Sequence, residues 1–302
     1  MNLTIYAKAA YDKKQIMHKM ELGADGIELY TGSPLEDVFF YDDNFDMLPF
    51  ELLEQIKIVH MPLKLKKEES NNFGIDTLIG QNTIMALSKK INKLQKIVEH
   101  KIDIVCYIER DKSYLENQPA TLAGSSILFL CNSVNNNNLW NEMIIFFKKL
   151  SASYPNITYY IENSTFEVIN KPDTYLDFVN EVGCNNVKAC VDICHFQITN
   201  YYKSLIFNKH NNICIVEYLK IHQKNIGLLH LSTASADEKG FGRGKGHSDN
   251  FDTNLSLLKS VVSYIKNNNI KIPIVLELRE DDYLNCENYK KVKKQIEQIL
   301  KI

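Results

Sequence analysis

Several things are scarce in these 302 residues. No uninterrupted apolar run approaches the length of a membrane span. The first residues, Met1-Asn-Leu-Thr-Ile-Tyr-Ala-Lys8, show no charged leader followed by a long apolar stretch. A cytoplasmic protein with no membrane partner is expected. Charge of one sign is scarce too: the formal net charge is −2 and the pI about 6.5, so no overall basic field draws the chain to nucleic acid or anionic lipid. A nucleic-acid partner is not expected. The seven cysteines are scattered and odd in number, and Cys106, Cys190 and Cys194 fall in strand-like segments, which argues against a disulfide framework. Cys190-Val-Asp-Ile-Cys194 has the wrong spacing for a zinc ribbon, and its thiols read as small core residues. The single tryptophan, Trp140, opens an amphipathic pattern and is expected to pack. What remains is ordinary, with 45% hydrophobic and 24% charged residues, enough to bury a sizeable core.

Strand-like and helix-like segments alternate along nearly the whole chain. Short β-branched or aromatic runs predict strands at Leu3–Ala7, Gly26–Tyr30, Ile56–Met61, Ile102–Ile108, Ile157–Glu162, Val187–Ile193, Gly227–Ser232 and Ile274–Leu278. Helical periodicity lies between them at Tyr11–Leu22, Phe50–Gln55, Ile75–Glu99, Leu139–Ser153, Thr174–Val182, Ile213–Gln223 and Leu255–Asn267, with a last helix at Asn288–Leu300. Eight such alternations predict an α/β fold, a (β/α)8 TIM barrel spanning 1–302 as one domain, because closure removes both sheet edges. Gly23 and Gly183 each precede a strand and read as helix C-caps. Residues 111–138, with Pro119, Gly124 and a run of asparagines, read as an extended loop after strand four. A lid, an oligomer contact and an insert without structure are all open for it.

Four runs end on an acidic or imidazole side chain: Glu162, Asp192, His230 and Glu277. Parallel strands bring their C-terminal ends to one face, where a hard or borderline divalent cation can use three carboxylates and one imidazole. Six segments then resemble the xylose-isomerase-like TIM-barrel superfamily, which holds sugar isomerases and epimerases together with class II apurinic-site endonucleases: Ala24-Asp-Gly-Ile-Glu-Leu29, Val59-His-Met-Pro62, Tyr160-Ile-Glu-Asn163, Val191-Asp-Ile-Cys-His195, Leu229-His-Leu-Ser232 and Val275-Leu-Glu-Leu278. They cover essentially the full chain in order. The resemblance implies that Glu162, Asp192, His230 and Glu277 are metal ligands on strands five to eight, with His195 a neighbouring substrate- or metal-binding histidine.

The resemblance also separates the two branches. Zinc endonucleases of the superfamily carry further histidines after strands three and four and an Asp-x-His pair after strand seven. His60 fits the strand-three position. Strand four, Ile104-Val-Cys-Tyr-Ile-Glu109, offers no histidine, and Glu238 and Gly240 stand where the Asp and His would be, unless a shifted His247 compensates. One divalent metal, Mn²⁺, Mg²⁺ or Co²⁺, is the expected cofactor, with Zn²⁺ the cofactor of the hydrolase alternative. The expected reaction is the isomerisation or epimerisation of a sugar-like small molecule through a metal-stabilised enediolate, with Glu162 and Glu277 moving the proton and His195 assisting. A zinc-dependent phosphodiesterase is the alternative. The sugar 3-epimerases have an additional Glu and an Arg where this chain has Val168 and Ala236. Barrels of the superfamily often associate, so a homo-oligomer is open.

The segment Gly240-Phe-Gly-Arg-Gly-Lys-Gly-His247 alternates glycine with larger residues. Backbone N–H groups there can approach a ligand closely, and Arg243, Lys245 and His247 could hold a substrate phosphate or carboxylate above the metal; a solvated surface loop is the other reading. His60 and Glu28 are expected at the pocket as substrate-binding groups, with neutral packing of His60 and orientation of a basic residue by Glu28 the alternatives.

Overall fold

The computed structural model describes residues 3–31, 38–62, 75, 78–108, 137–163, 174–197, 200, 213–233, 236–237, 240–241, 255–278, 280, 282 and 284–301. Among the described residues ten strands run in chain order: β1 (Ile5–Ala10), β2 (Ile27–Tyr30), β3 (Ile56–His60), β4 (Asp103–Tyr107), β5 (Tyr159–Glu162), β6 (Val187–Asp192), β7 (Ile226–Leu231), β8 (Ala236–Asp237), β9 (Gly240–Phe241) and β10 (Ile274–Leu276). Eight of them close into a parallel barrel in which β1 pairs with both β2 and β10. The barrel expected from the alternation is the barrel observed. β8, just before the glycine-rich stretch, and β9, at its start, form a separate antiparallel ribbon where no strand was predicted.

Helices α1 (Lys13–Glu21), α2 (Val38–Tyr41), α3 (Phe50–Leu53), α4 (Leu78–Val98), α5 (Asn137–Ser153), α6 (Thr174–Val182), α7 (Ile215–His222), α8 (Leu255–Asn267) and α9 (Glu287–Lys301) connect the strands. Their apolar faces follow the helical period. In α4 the buried residues Ile84, Leu87, Ile91, Leu94 and Val98 recur every three or four positions, so one stripe covers the outer face of the barrel. Asp12 caps α1 by accepting the Gln15 N–H, and Gly23 (φ +80) and Gly183 (φ +63) take the left-handed conformation that ends a helix before a strand. Glu280 accepts the N–H groups of Asn288 and Tyr289 at 3.0 and 2.8 Å, which satisfies the first turn of α9.

Boundaries differ from the predicted ones by up to three residues, as in β1, predicted over Leu3–Ala7, and α2 was not predicted; two further differences have a plain cause. The helix predicted over Phe50–Gln55 is the single turn α3, because β3 begins at Ile56 and leaves no residues for a second turn. Asn137 and Asn138, assigned to the long loop, already belong to α5, whose N-terminus suits asparagine. The remainder of that loop, 111–136, lies outside the described residues.

Inside the barrel the side chains stack in layers. Ile58, Val105, Tyr160, Cys190, Leu228 and Val275 form one buried apolar cluster, with Tyr6 packed against it. Two residues further along each of those strands, on the same face by the period of two, come His60, Tyr107, Glu162, Asp192, His230, Glu277 and Lys8. β2 adds Glu28 two residues after Gly26, where a Cβ would lie 2.5 Å from Lys57 Cγ and 3.1 Å from the Tyr6 ring, so only glycine fits beside the apolar layer. The upper layer is polar on all eight barrel strands. It lies at their C-terminal ends, the face where barrels of this kind carry their chemistry.

Candidate metal centre

Four side chains in the polar layer bring one ligand atom each into a group within 4.8 Å: Glu162 at the end of β5, Asp192 at the end of β6, His230 on β7 and Glu277 immediately after β10. Asp192 and His230 are 0% exposed. Three carboxylates and an imidazole turned toward one point in a buried space repel one another unless a cation sits among them, so this donor set fits a divalent ion. A second group overlaps it: Glu28, His60 and His230.

The imidazoles are oriented by their outer nitrogens. His230 Nε2 lies 2.8 Å from Glu28 Oε2, while Nδ1 faces Glu162 Oε1 at 3.1 Å and Glu277 Oε2 at 2.8 Å. Nε2–H donating to Glu28 leaves Nδ1 for a metal, the carboxylate–histidine–metal pattern. His60 Nδ1 lies 2.9 Å from the Met61 carbonyl, and His195 Nδ1 2.7 Å from the Asn163 carbonyl. A carbonyl only accepts, so Nδ1 of each ring carries a proton, while Nε2 of His60 lies 3.1 Å from Glu162 Oε2. Asp192 Oδ1 accepts the His195 N–H at 2.7 Å and so caps the helical turn that follows β6. The Asn163 side chain clamps the same strand end, donating to the Asp192 carbonyl at 3.0 Å and accepting the Asp192 N–H at 2.5 Å. These bonds leave the Asp192 carboxylate few orientations.

Electrostatics follow from that crowding. Burial alone would lower the His230 pKa, but the carboxylates of Glu28, Glu162 and Glu277 outweigh it and hold the imidazole well above its ordinary value. Burial would raise Glu162, yet pairing with His230 and His60 keeps it well below the usual carboxylate range. Glu28 is likewise lowered, its burial opposed by His230 and Lys8. Cys190 in the layer beneath is pushed up to about 12, chiefly by burial, and stays a neutral thiol.

Of the residues singled out from the sequence, Glu162, Asp192, His230, Glu277, His195 and His60 converge at one end of the barrel. Glu28, expected to face a substrate, is fully buried behind His230 with Lys8 Nζ 3.4 Å from its Oε1. Arg243, Lys245 and His247 lie outside the described residues. Two groups were overlooked. Lys8, largely buried with its side chain 14% exposed, places Nζ 2.5 Å from Glu277 Oε1 and 5.2 Å from the Tyr30 ring centre. Burial alone would lower its pKa, but Glu277, Glu28 and Glu162 raise it, so it stays an ammonium. Tyr107 sets its hydroxyl 3.1 Å from His60 Nδ1, at the strand-four position where no histidine was found. The signal for both was their place two residues after an inward apolar residue.

The geometry has counterparts among known proteins. A search by sequence finds no curated relative. Among solved structures, a xylose isomerase domain protein from Planctomyces limnophilus is 12% identical with a TM-score of 0.58, covering 100% of this chain and 97% of that one. D-allulose 3-epimerase from Methylomonas sp. is 12% identical with a TM-score of 0.59, covering 98% of each chain. Endonuclease IV from Thermus thermophilus is also 12% identical, with a TM-score of 0.54 and coverage of 98% of this chain and 99% of that one. At these identities the likeness is one of fold, and it spans epimerases and endonucleases alike. The sequence model described as xylose isomerase-like TIM barrel matches residues 136–302, the half that carries Glu162, Asp192, His230 and Glu277, and the chain therefore belongs to that family of enzymes.

Proposed function

We propose that the protein is a divalent-metal-dependent isomerase or epimerase of a sugar or sugar-like small molecule. The observation that supports this most is the convergence of Glu162, Asp192, His230 and Glu277 within 4.8 Å at the mouth of the barrel. A Mn²⁺, Mg²⁺ or Co²⁺ ion held there would supply Lewis acidity, polarising neighbouring substrate oxygens without redox chemistry of its own. The chain's own groups then move the proton. Glu162, held ionised by His60 and His230, serves as the base. Glu277, more open than Glu162 at 15% side-chain exposure, returns the proton from the other side. His195 offers Nε2 to a substrate oxygen, Glu28 holds His230 in its tautomer, and Arg243, Lys245 and His247 bind an anionic group where the substrate has one. We place this chemistry in the cytoplasm; among the described residues no helix is long and apolar enough to cross a membrane.

The test is solvent exchange. With Mn²⁺, Mg²⁺ or Co²⁺, incubation with a panel of ketoses and aldoses in D₂O should incorporate deuterium at the carbon next to the carbonyl. Absence of exchange across the panel with metal-loaded protein overturns the reading. The zinc phosphoesterase reading draws on the overlapping group Glu28, His60 and His230. It requires two or three zinc ions per chain with nicking of abasic DNA or phosphate release, and a count of one ion sinks it.

A further inference from the structure

We propose that Lys8 is a built-in cation that stands in for a second divalent ion and so limits the centre to one. This rests on the metal-dependent reading above and concerns how many ions that centre admits. The two candidate ligand groups share His230, whose Nδ1 faces Glu162 and Glu277 and whose Nε2 faces Glu28. Without Lys8 the geometry would suit two cations, the first on His230 Nδ1 and the second between the Glu28 and Glu277 oxygens that now face the ammonium. The Lys8 ammonium lies between the groups instead, 2.5 Å from Glu277 Oε1 in one and 3.4 Å from Glu28 Oε1 in the other. It is held in place by its position on β1, where Lys8 pairs in register with Glu28, and by the face of the Tyr30 ring.

Charge makes the same argument. Glu28, Glu162, Asp192 and Glu277 place four carboxylates in one layer, and Lys8 cancels one of those charges. Without Lys8, two divalent ions would balance the four carboxylates with the histidines uncharged; with the ammonium present a second ion overshoots and leaves a positive layer in a buried space. The second ion would also share the Glu28 carboxylate with the ammonium, so the two like charges would sit within a few ångströms of each other. Lysine suits this role because its charge is a compact point with three donors, and those donors can bridge two carboxylates. Lys8 is in this sense a positioning residue, acting through Glu28 and Glu277.

The experiment counts ions. Wild-type protein, Lys8→Met and Lys8→Arg are each loaded with Mn²⁺, freed of excess metal and measured by elemental analysis and by Mn²⁺ electron paramagnetic resonance. Wild type and K8R should hold one uncoupled ion per chain. K8M should hold two, with the exchange-coupled spectrum of neighbouring Mn²⁺ ions, and K8M/E28Q should return to one. K8M holding a single ion with wild-type affinity overturns the inference while leaving the metal-dependent reading intact. Wild type holding none overturns that reading instead. Should K8M not be recovered folded, as judged by circular dichroism, Lys8→Gln gives the same two-ion or one-ion answer.

Discussion

Two layers of side chains lie one above the other inside this barrel, separated by two residues on each strand. The lower one, Ile58, Val105, Tyr160, Cys190, Leu228 and Val275, is apolar and closed. The upper one, from Lys8 round to Glu277, is polar and almost as deeply buried. Depth therefore does not separate core from site here. What separates them is whether the buried groups are satisfied by packing alone or need opposite charges beside them. The lower layer contributes stability by removing apolar area from water. The upper layer is tolerable because its charges are paired in part by Lys8 and the imidazoles, and in the proposed reading by a cation.

The comparison breaks most visibly if a change in the upper layer alters stability rather than metal affinity. Asp192→Asn keeps the shape and removes a ligand charge, so its Mn²⁺ affinity should fall by well beyond the ~100-fold that losing an outer partner can cost. Its metal-free melting temperature should hold or rise, since one repelling carboxylate is gone. Chelator competition and thermal melts read the two quantities separately. In the lower layer the outcome should invert. Leu228→Ala leaves a cavity and should cost about 2–5 kcal/mol by urea denaturation, with the metal affinity of the folded fraction unchanged. An affinity loss as large as that of D192N would mean that the layers are not separable.

How much of this was legible in the sequence depends on what each residue needs to be recognised. The barrel was legible because strand and helix periods alternate over most of the chain, and the four candidate ligands because each terminates an apolar run. Lys8 was not. The strand predicted over Leu3–Ala7 stops one residue short of it, and only barrel closure, with β10 beside β1, shows that it points at Glu277. Glu28 was noticed with a substrate and a basic residue both open as its partner; its contact with His230 was not legible, because that residue is 202 positions away. The turn α3 fell short of its predicted length for a different reason, since the start of β3 truncated a locally helical pattern.

Protonation sharpens the contrast further. His230 has its pKa raised above 6.5, so in metal-free protein its contribution to stability is fully present below that value and is lost as pH rises through the raised pKa. Glu162 has its pKa lowered from 4.5, so its contribution is present above 4.5 and is lost as pH falls through the lowered value. Metal-free protein should thus be most stable in acid to neutral solution and weaken as the medium becomes alkaline. A metal requires the neutral imidazole, so binding Mn²⁺ near neutral pH should release about one proton. Calorimetry in buffers of different ionisation enthalpy counts it, and a count of zero would contradict a protonated His230.

The smallest effect is expected at Tyr107, which belongs to both layers by chemistry, with an apolar ring and a polar tip. Its hydroxyl lies 3.1 Å from His60 Nδ1 and 3.4 Å from the Met61 carbonyl. The Met61 carbonyl, at 2.9 Å, already receives the Nδ1 proton, so the hydroxyl is not needed to set the tautomer of His60. Tyr107→Phe should then cost only about 0.5–1.5 kcal/mol, the net worth of one buried hydrogen bond, and leave metal affinity where it was. Denaturation and Mn²⁺ titration of the same sample decide it. A loss of affinity without loss of stability would show that the β4 hydroxyl orients His60 toward the metal, and that the polar layer is coupled all the way round the barrel.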